Sequence, residues 1–221
     1  MAESLSGALA TGQQICWDET HGYYLRDGSG YGCMNPDVDC SYFVGYCLQQ
    51  NGFSVSPSWY TGSMITTLSN YPGFTHYTWS SGFVWQHGDI AVYDEGGGAY
   101  GHTFFYAENV MGYVNGRYGW DSSSCDGTLG LCTTAKIEAA GKHNHPETGD
   151  QDNGYGAHTE VWVHTFSGDP VYQVDHHDGQ GLHWPTWHIF RWQAGPGPTP
   201  PTTNRHHLPI WFYNKIIRKE I

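Results

Sequence analysis

Apolar positions along this chain change their period from place to place, and the changes mark out elements. Over residues 40–50 (CSYFVGYCLQQ), Phe43, Val44, Cys47 and Leu48 recur at the spacing of one helix face. Asp39 stands where an N-cap belongs and Asn51-Gly52 reads as a stop, so the pattern predicts a helix opening at Cys40 with a buried stripe. Farther on, GDIAVY (88–93) and TFFYAENV (103–110) are apolar or alternating runs on either side of a Gly-rich loop, EGGGAYG (95–101). They read as the two strands of a hairpin, with His102 leading the second. Asn115-Gly116 signals a turn, with another strand expected after it. Residues 1–15 read as a helical lead-in, 16–140 as the body of a domain, and 141–183, dense in Gly, Asp and His, as a surface insertion before the chain returns to the sheet by residue 192.

Helices and hairpins in one chain of 221 residues imply a single α+β domain over 1–192, long enough to bury one substantial core. After it the composition shifts. QAGPGPTPPTTN (193–204) is a Pro-rich, semi-rigid linker. Beyond Pro209, Ile210, Tyr213, Ile217 and Ile221 return at helical spacing among Arg205, Lys215, Arg218 and Lys219. Residues 205–221 therefore read as a short amphipathic docking tail, too short to be stable alone and suited to self-association or a partner in a larger particle.

The chemistry suggested by this pattern starts at Cys40. A thiol attacks only as thiolate, and a helix N-terminus, with its unpaired N–H groups and macrodipole, favours negative charge. A cysteine nucleophile needs a base, and the base needs an orienting group. His102, at the start of an inner strand, is the expected base. Asp121, 19 residues farther on in NGRYGWDSSS, is the expected third member, with Glu108 and Asn109 as polar rivals on the His102 strand. Strand alternation puts Glu108 on the His102 face. Asp39 and Ser41 flank the nucleophile; Asp39 reads first as a cap, because a carboxylate beside a thiol opposes thiolate formation.

Taken together, DCSYFV, GDIAVY and GHTFFY resemble the NlpC-type papain-like cysteine peptidases. HGYY (21–24), WYTGSM (59–64), GFTHYTW (73–79) and TGDQDNG (148–154) resemble, more narrowly, the bacteriophage peptidoglycan hydrolases of the phage amidase group. The likeness spans roughly residues 12 to 192, with WHIFRW (187–192) similar to the family's closing strand. It implies a papain-like fold: a central antiparallel sheet, and the nucleophile at the N-terminus of a packed helix. It also implies Cys40 as nucleophile, His102 as base, a polar third residue that falls at Asp121 with a one-residue offset, and no cofactor. A tyrosine lining the site is expected among Tyr23, Tyr24 and Tyr31, so Asp39, Ser41, Tyr23 and Tyr31 stand as substrate-binding candidates. The implied substrate is bacterial peptidoglycan, cut either at the amide between muramic acid and L-alanine or within the stem peptide. The alternative is a cell-wall-binding or virion structural protein that keeps the fold without catalysis.

Charge narrows the partners. A formal charge of −12, with nine Lys and Arg against twenty-one Asp and Glu, argues against nucleic acid and against anionic membranes. MAESLSGALATGQQICW lacks a basic n-region and a long apolar segment, and no run reaches a membrane span. For a chain that resembles peptidoglycan hydrolases, the missing export signal implies a phage-delivered enzyme acting at the host wall, released at lysis or carried on the particle, and the missing span implies no stable membrane insertion. Fourteen histidines invite a metal reading, but His143-Asn144-His145 lacks the partner aspartate spacing of zinc cell-wall peptidases, and no metal site is assigned. Among the six cysteines, Cys47 is expected in the core, and Cys125 and Cys132 either close a small disulfide loop or stay free.

Overall fold

The computed structural model of the protein describes residues 3–19, 39–94, 101–114, 128–140, 160–166, 168–173 and 186–193. Three helices are α1 (Leu5–Glu19), α2 (Cys40–Gln50) and α3 (Thr61–Asn70); six strands are β1 (Phe74–Thr78), β2 (Ile90–Asp94), β3 (Gly101–Val114), β4 (Thr128–Ala140), β5 (Glu160–Thr165) and β6 (His188–Trp192). The strands form one sheet in the order β1-β6-β2-β3-β4-β5, with every neighbouring pair antiparallel. This is the α+β architecture with a central antiparallel sheet that the sequence predicts.

The helix at Cys40 forms because its ends are chemically defined and its stripe has somewhere to go. The Asp39 carboxylate accepts the N–H of Tyr42 at 2.7 Å and its carbonyl accepts that of Phe43 at 3.0 Å. At the other end Gly52 takes the left-handed conformation (φ 89°) that only glycine adopts without strain. Between them Phe43, Val44, Cys47 and Leu48 are fully buried, each apolar side chain contributing roughly 1.5–3 kcal/mol. Phe43 meets Phe105 of β3 edge to face, with ring centroids 6.3 Å apart.

Sheet alternation separates two interiors. Phe105, Ala107, Ala135, Ile137 and Ala139 of β3 and β4 join Val161 and Val163 of β5 and the α1 and α2 stripes in the main core. Ala91, Tyr93, Phe104, Trp187 and Ile189 point the other way and pack with Val171, flanked by Tyr77, Trp79, Phe83 and Trp85. The GDI run has a structural role. Asp89 is buried, receives Arg191 of β6 through Nε at 2.7 Å and Nη2 at 2.6 Å, and accepts the N–H of Gln86. That bidentate pair pins β6 to the start of β2.

Two expectations change. The first helix runs Leu5–Glu19, past the 1–15 lead-in, because Ile15 and Cys16 are buried along with Ala8 and Leu9. Residues 141–183 are not surface insertion throughout. Glu160–Thr165 is a sheet strand, with Val161 and Val163 buried against α1 and the main core. Of the two alternatives open for Cys132, the structure has the free one: a buried thiol within β4. The linker 194–204, the tail 205–221 and the rest of the 141–183 segment lie outside the described residues.

Candidate active site

Cys40 is the first residue of α2, half-buried, with Sγ 3.9 Å from the carbonyl oxygen of Gly101. Ser41, expected to meet substrate, is instead buried. Its hydroxyl lies 2.7 Å from both the Asp39 carboxylate and the Trp59 carbonyl, and its own carbonyl accepts the Trp59 indole N–H at 2.6 Å. Those bonds fix the angle at which α2 begins, so Ser41 braces the helix turn that carries Cys40. Asp39 is exposed and acts as the predicted cap. Because its caps go to Tyr42 and Phe43, they leave the N–H of Cys40 out of the capping pattern.

His102 stands opposite Tyr93 in the β2–β3 ladder and is nearly buried. Gly101 before it is required sterically: a Cβ there would collide with the Thr61 hydroxyl and with the Tyr93 carbonyl. The GH pair thus lets the N-terminus of α3 close over the start of β3 beside Cys40. Thr61 in turn donates to Asp94 at 3.1 Å.

The carboxylate that the structure places on His102 is Glu138. His102 Nε2 donates to Glu138 Oε2 at 2.6 Å, and the Glu138 side chain is fully buried. In the β3–β4 register Phe105 faces Ile137, which brings Glu138 opposite Phe104 and diagonal to His102 on one face of the sheet. With Nε2 occupied, Nδ1 is the nitrogen left for the thiol. Burial alone would lower the His102 pKa, but charge and a side-chain hydrogen bond from Cys40, with the bond and charge of Glu138, outweigh it and raise it to about 9. An imidazolium beside a cysteine at a helix N-terminus is the arrangement that makes a thiolate nucleophile.

Lys136 completes the line. Its Nζ lies 3.3 Å from Glu138 Oε1 and 5.3 Å from the centre of the Phe104 ring, and it too is fully buried. Burial pushes its pKa down, and Glu138 pulls it back up.

Glu108 does not reach His102. It lies six residues along β3, about 20 Å at strand rise, where it accepts the Tyr106 hydroxyl at 2.9 Å. Asp121, Tyr23, Tyr24 and Tyr31 lie outside the described residues. Glu138 escaped the sequence reading because β3 continues to Val114 and β4 begins only at Thr128, so the residue returning beside His102 is 36 positions on. A usable signal was present in AKIEA: two charged residues at alternate positions of an otherwise apolar run mark one special face of a buried strand.

Among the described residues, no group of three or more His, Cys, Asp or Glu side chains is placed to hold a metal ion, and no helix is long and apolar enough to cross a membrane. No family model matches the chain, and no curated protein or solved structure matches it.

Proposed function

We propose that the chain is a papain-like cysteine hydrolase that cleaves amide bonds of bacterial peptidoglycan. The observation that carries the chemistry is the line Cys40, His102, Glu138: a buried carboxylate holds the imidazole at 2.6 Å, the first-turn thiol lies 3.9 Å from the carbonyl oxygen of the residue before His102, and its charge helps raise the His102 pKa. The substrate assignment is supported separately, by the likeness of DCSYFV, GDIAVY and GHTFFY to the NlpC-type and phage amidase sequences. Cys40 thiolate attacks the amide carbon, and the N–H of Cys40 helps hold the oxyanion. As the C–N bond breaks, the Nδ1 proton of His102 passes to the leaving amine, leaving a thioester on Cys40. His102, now neutral, takes a proton from water, whose oxygen attacks the thioester and releases the acid. Glu138 holds the ring throughout and stabilises its cationic form.

With a charge of −12, the surface does not hold the enzyme to polyanionic walls by electrostatics, so retention falls to groove contacts or to the C-terminal tail. Phage delivery to the host wall is the setting this reading favours. The test is digestion of purified peptidoglycan by the full chain, with the new termini identified by mass spectrometry. A free L-alanine amine with intact lactyl carboxylate marks amidase cleavage, and a split inside the stem peptide marks an endopeptidase. Binding without new termini would leave the wall-binding alternative.

A further inference from the structure

We propose that Lys136 is a positioning residue for the Cys40–His102 pair: it keeps Glu138 ionised after His102 has given up its proton, and so holds the imidazole with hydrogen on Nε2 and a lone pair on Nδ1. The inference rests on the reading of Cys40 and His102 as the reactive pair. Each oxygen of Glu138 has its own cationic partner, Oε2 at 2.6 Å from His102 Nε2 and Oε1 at 3.3 Å from Lys136 Nζ. Both side chains of the Lys136–Glu138 pair are fully shielded from solvent. A buried ion pair is weak support for a fold, since apolar side chains of similar size are often as stable. Its presence beside the imidazole calls for a reason in the chemistry.

The catalytic cycle supplies one. While His102 is imidazolium, Glu138 lies between two cations, and the line reads thiolate, imidazolium, carboxylate, ammonium. Once the imidazolium has protonated the leaving amine, Lys136 still pairs with Glu138 as a cation. Without it, a buried carboxylate facing a neutral ring would take up a proton and donate it to Nε2. The ring hydrogen would then sit on Nδ1, and the nitrogen facing Cys40 could no longer accept a proton from thiol or water. Lys136 also offsets part of the carboxylate's hold on the imidazolium, which eases its release of the proton. Among the described residues, the polar groups near His102 include Cys40 and Asp39 at the start of α2, Tyr93 opposite on β2, and Thr61 with Asp94 beside Gly101.

The test is the rate of Cys40 alkylation by iodoacetamide across pH in the full chain, read on the Cys40 peptide by mass spectrometry. In the natural chain the rate climbs in a second step as His102 loses its proton, near the value of about 9 that its surroundings set. Lys136→Met should move that step up by at least about one pH unit, a tenfold tighter hold on the proton, and Lys136→Arg should restore it. A step that stays in place or moves down overturns the proposal. Should Lys136→Met fail to fold, ring nitrogen NMR of the natural chain decides: above the step His102 must carry hydrogen on Nε2, and hydrogen on Nδ1 overturns it. His102→Ala should erase the second step; if it does not, the reactive pair itself is misassigned and the proposal falls with it. A chain that passes these tests yet leaves peptidoglycan uncut refutes the substrate and leaves the role of Lys136 standing.

Discussion

Ile137 and Glu138 are adjacent in β4, both fully buried, and serve opposite ends. Ile137 faces the helices and fills the space between β3 and the α1 and α2 stripes; Glu138 faces the other way and grips His102. On the first face the atoms do nothing but exclude water, so any side chain of similar volume can substitute. On the second face, under the proposed mechanism, stability and chemistry reside in the same atoms, since Glu138 pairs with Lys136 and holds the ring of His102. The strand's two-residue period is what allows one ribbon to carry both without mixing them.

The sharpest way to break this contrast is Glu138→Gln. Turnover should fall by about a hundredfold or more with little change in KM, because ring orientation and imidazolium support act on rate. The same change strands Lys136 as a buried charge and should cost about 3–5 kcal/mol of stability. Steady-state kinetics and denaturant melts on the same preparation read both. Unchanged turnover would remove Glu138 from the site and return attention to Asp121. Ile137→Ala comes next: about 2–5 kcal/mol of stability should be lost through the cavity it leaves, while turnover per folded molecule stays close to that of the natural chain. A large loss of turnover in the fully folded variant would mean that the two faces are coupled.

A smaller effect distinguishes two histidine environments by pH. His76 Nε2 and His188 Nδ1 meet at 2.8 Å on β1 and β6, and burial lowers both pKa values, with His76 lowering that of His188 further. The unfolded chain then binds more protons than the folded one as pH falls below about 6.5, so this pair loses stability on the acid side. His102 has the opposite sign. Its pKa is raised to about 9, so its contribution is complete below about 6.5 and disappears as pH rises through 9. Measured from pH 5 to 10 and compared with the alkaline end, denaturant midpoints should therefore shift in opposite senses: His102→Gln falls below the natural chain as pH drops through about 9, and His76→Gln gains on it below about 6.5; shifts of the same sense would contradict the assignment.

What was legible in the sequence follows the same division. The cap at Asp39, the stripe in α2 and the GDIAVY–GHTFFY hairpin were readable because local signals and period agree with the fold. A strand was expected after the Asn115-Gly116 turn, but its place at Thr128–Ala140 was not legible, since AKIEAA is built of residues with weak strand preference that read as well for helix. Its place beside β3 is fixed by a long ladder, not by local propensity, and Glu138 was lost with it. β5 was hidden for a related reason: a six-residue strand in surroundings rich in Gly, Asp and His shows its burial only once α1 covers it. Ser41 was misjudged because a hydroxyl beside a nucleophile looks available until Trp59 is seen to take it.

The central claim is that Cys40, activated by His102, performs amide hydrolysis. The most direct measurement compares cleavage of purified peptidoglycan by the natural chain and by Cys40→Ala, with circular dichroism and melting recorded on both. Cys40 opens its helix half-exposed and contributes little to the core, so the variant should melt within about 1 kcal/mol of the natural chain while new termini disappear from the digest. Substantial cleavage by a folded Cys40→Ala would contradict the account.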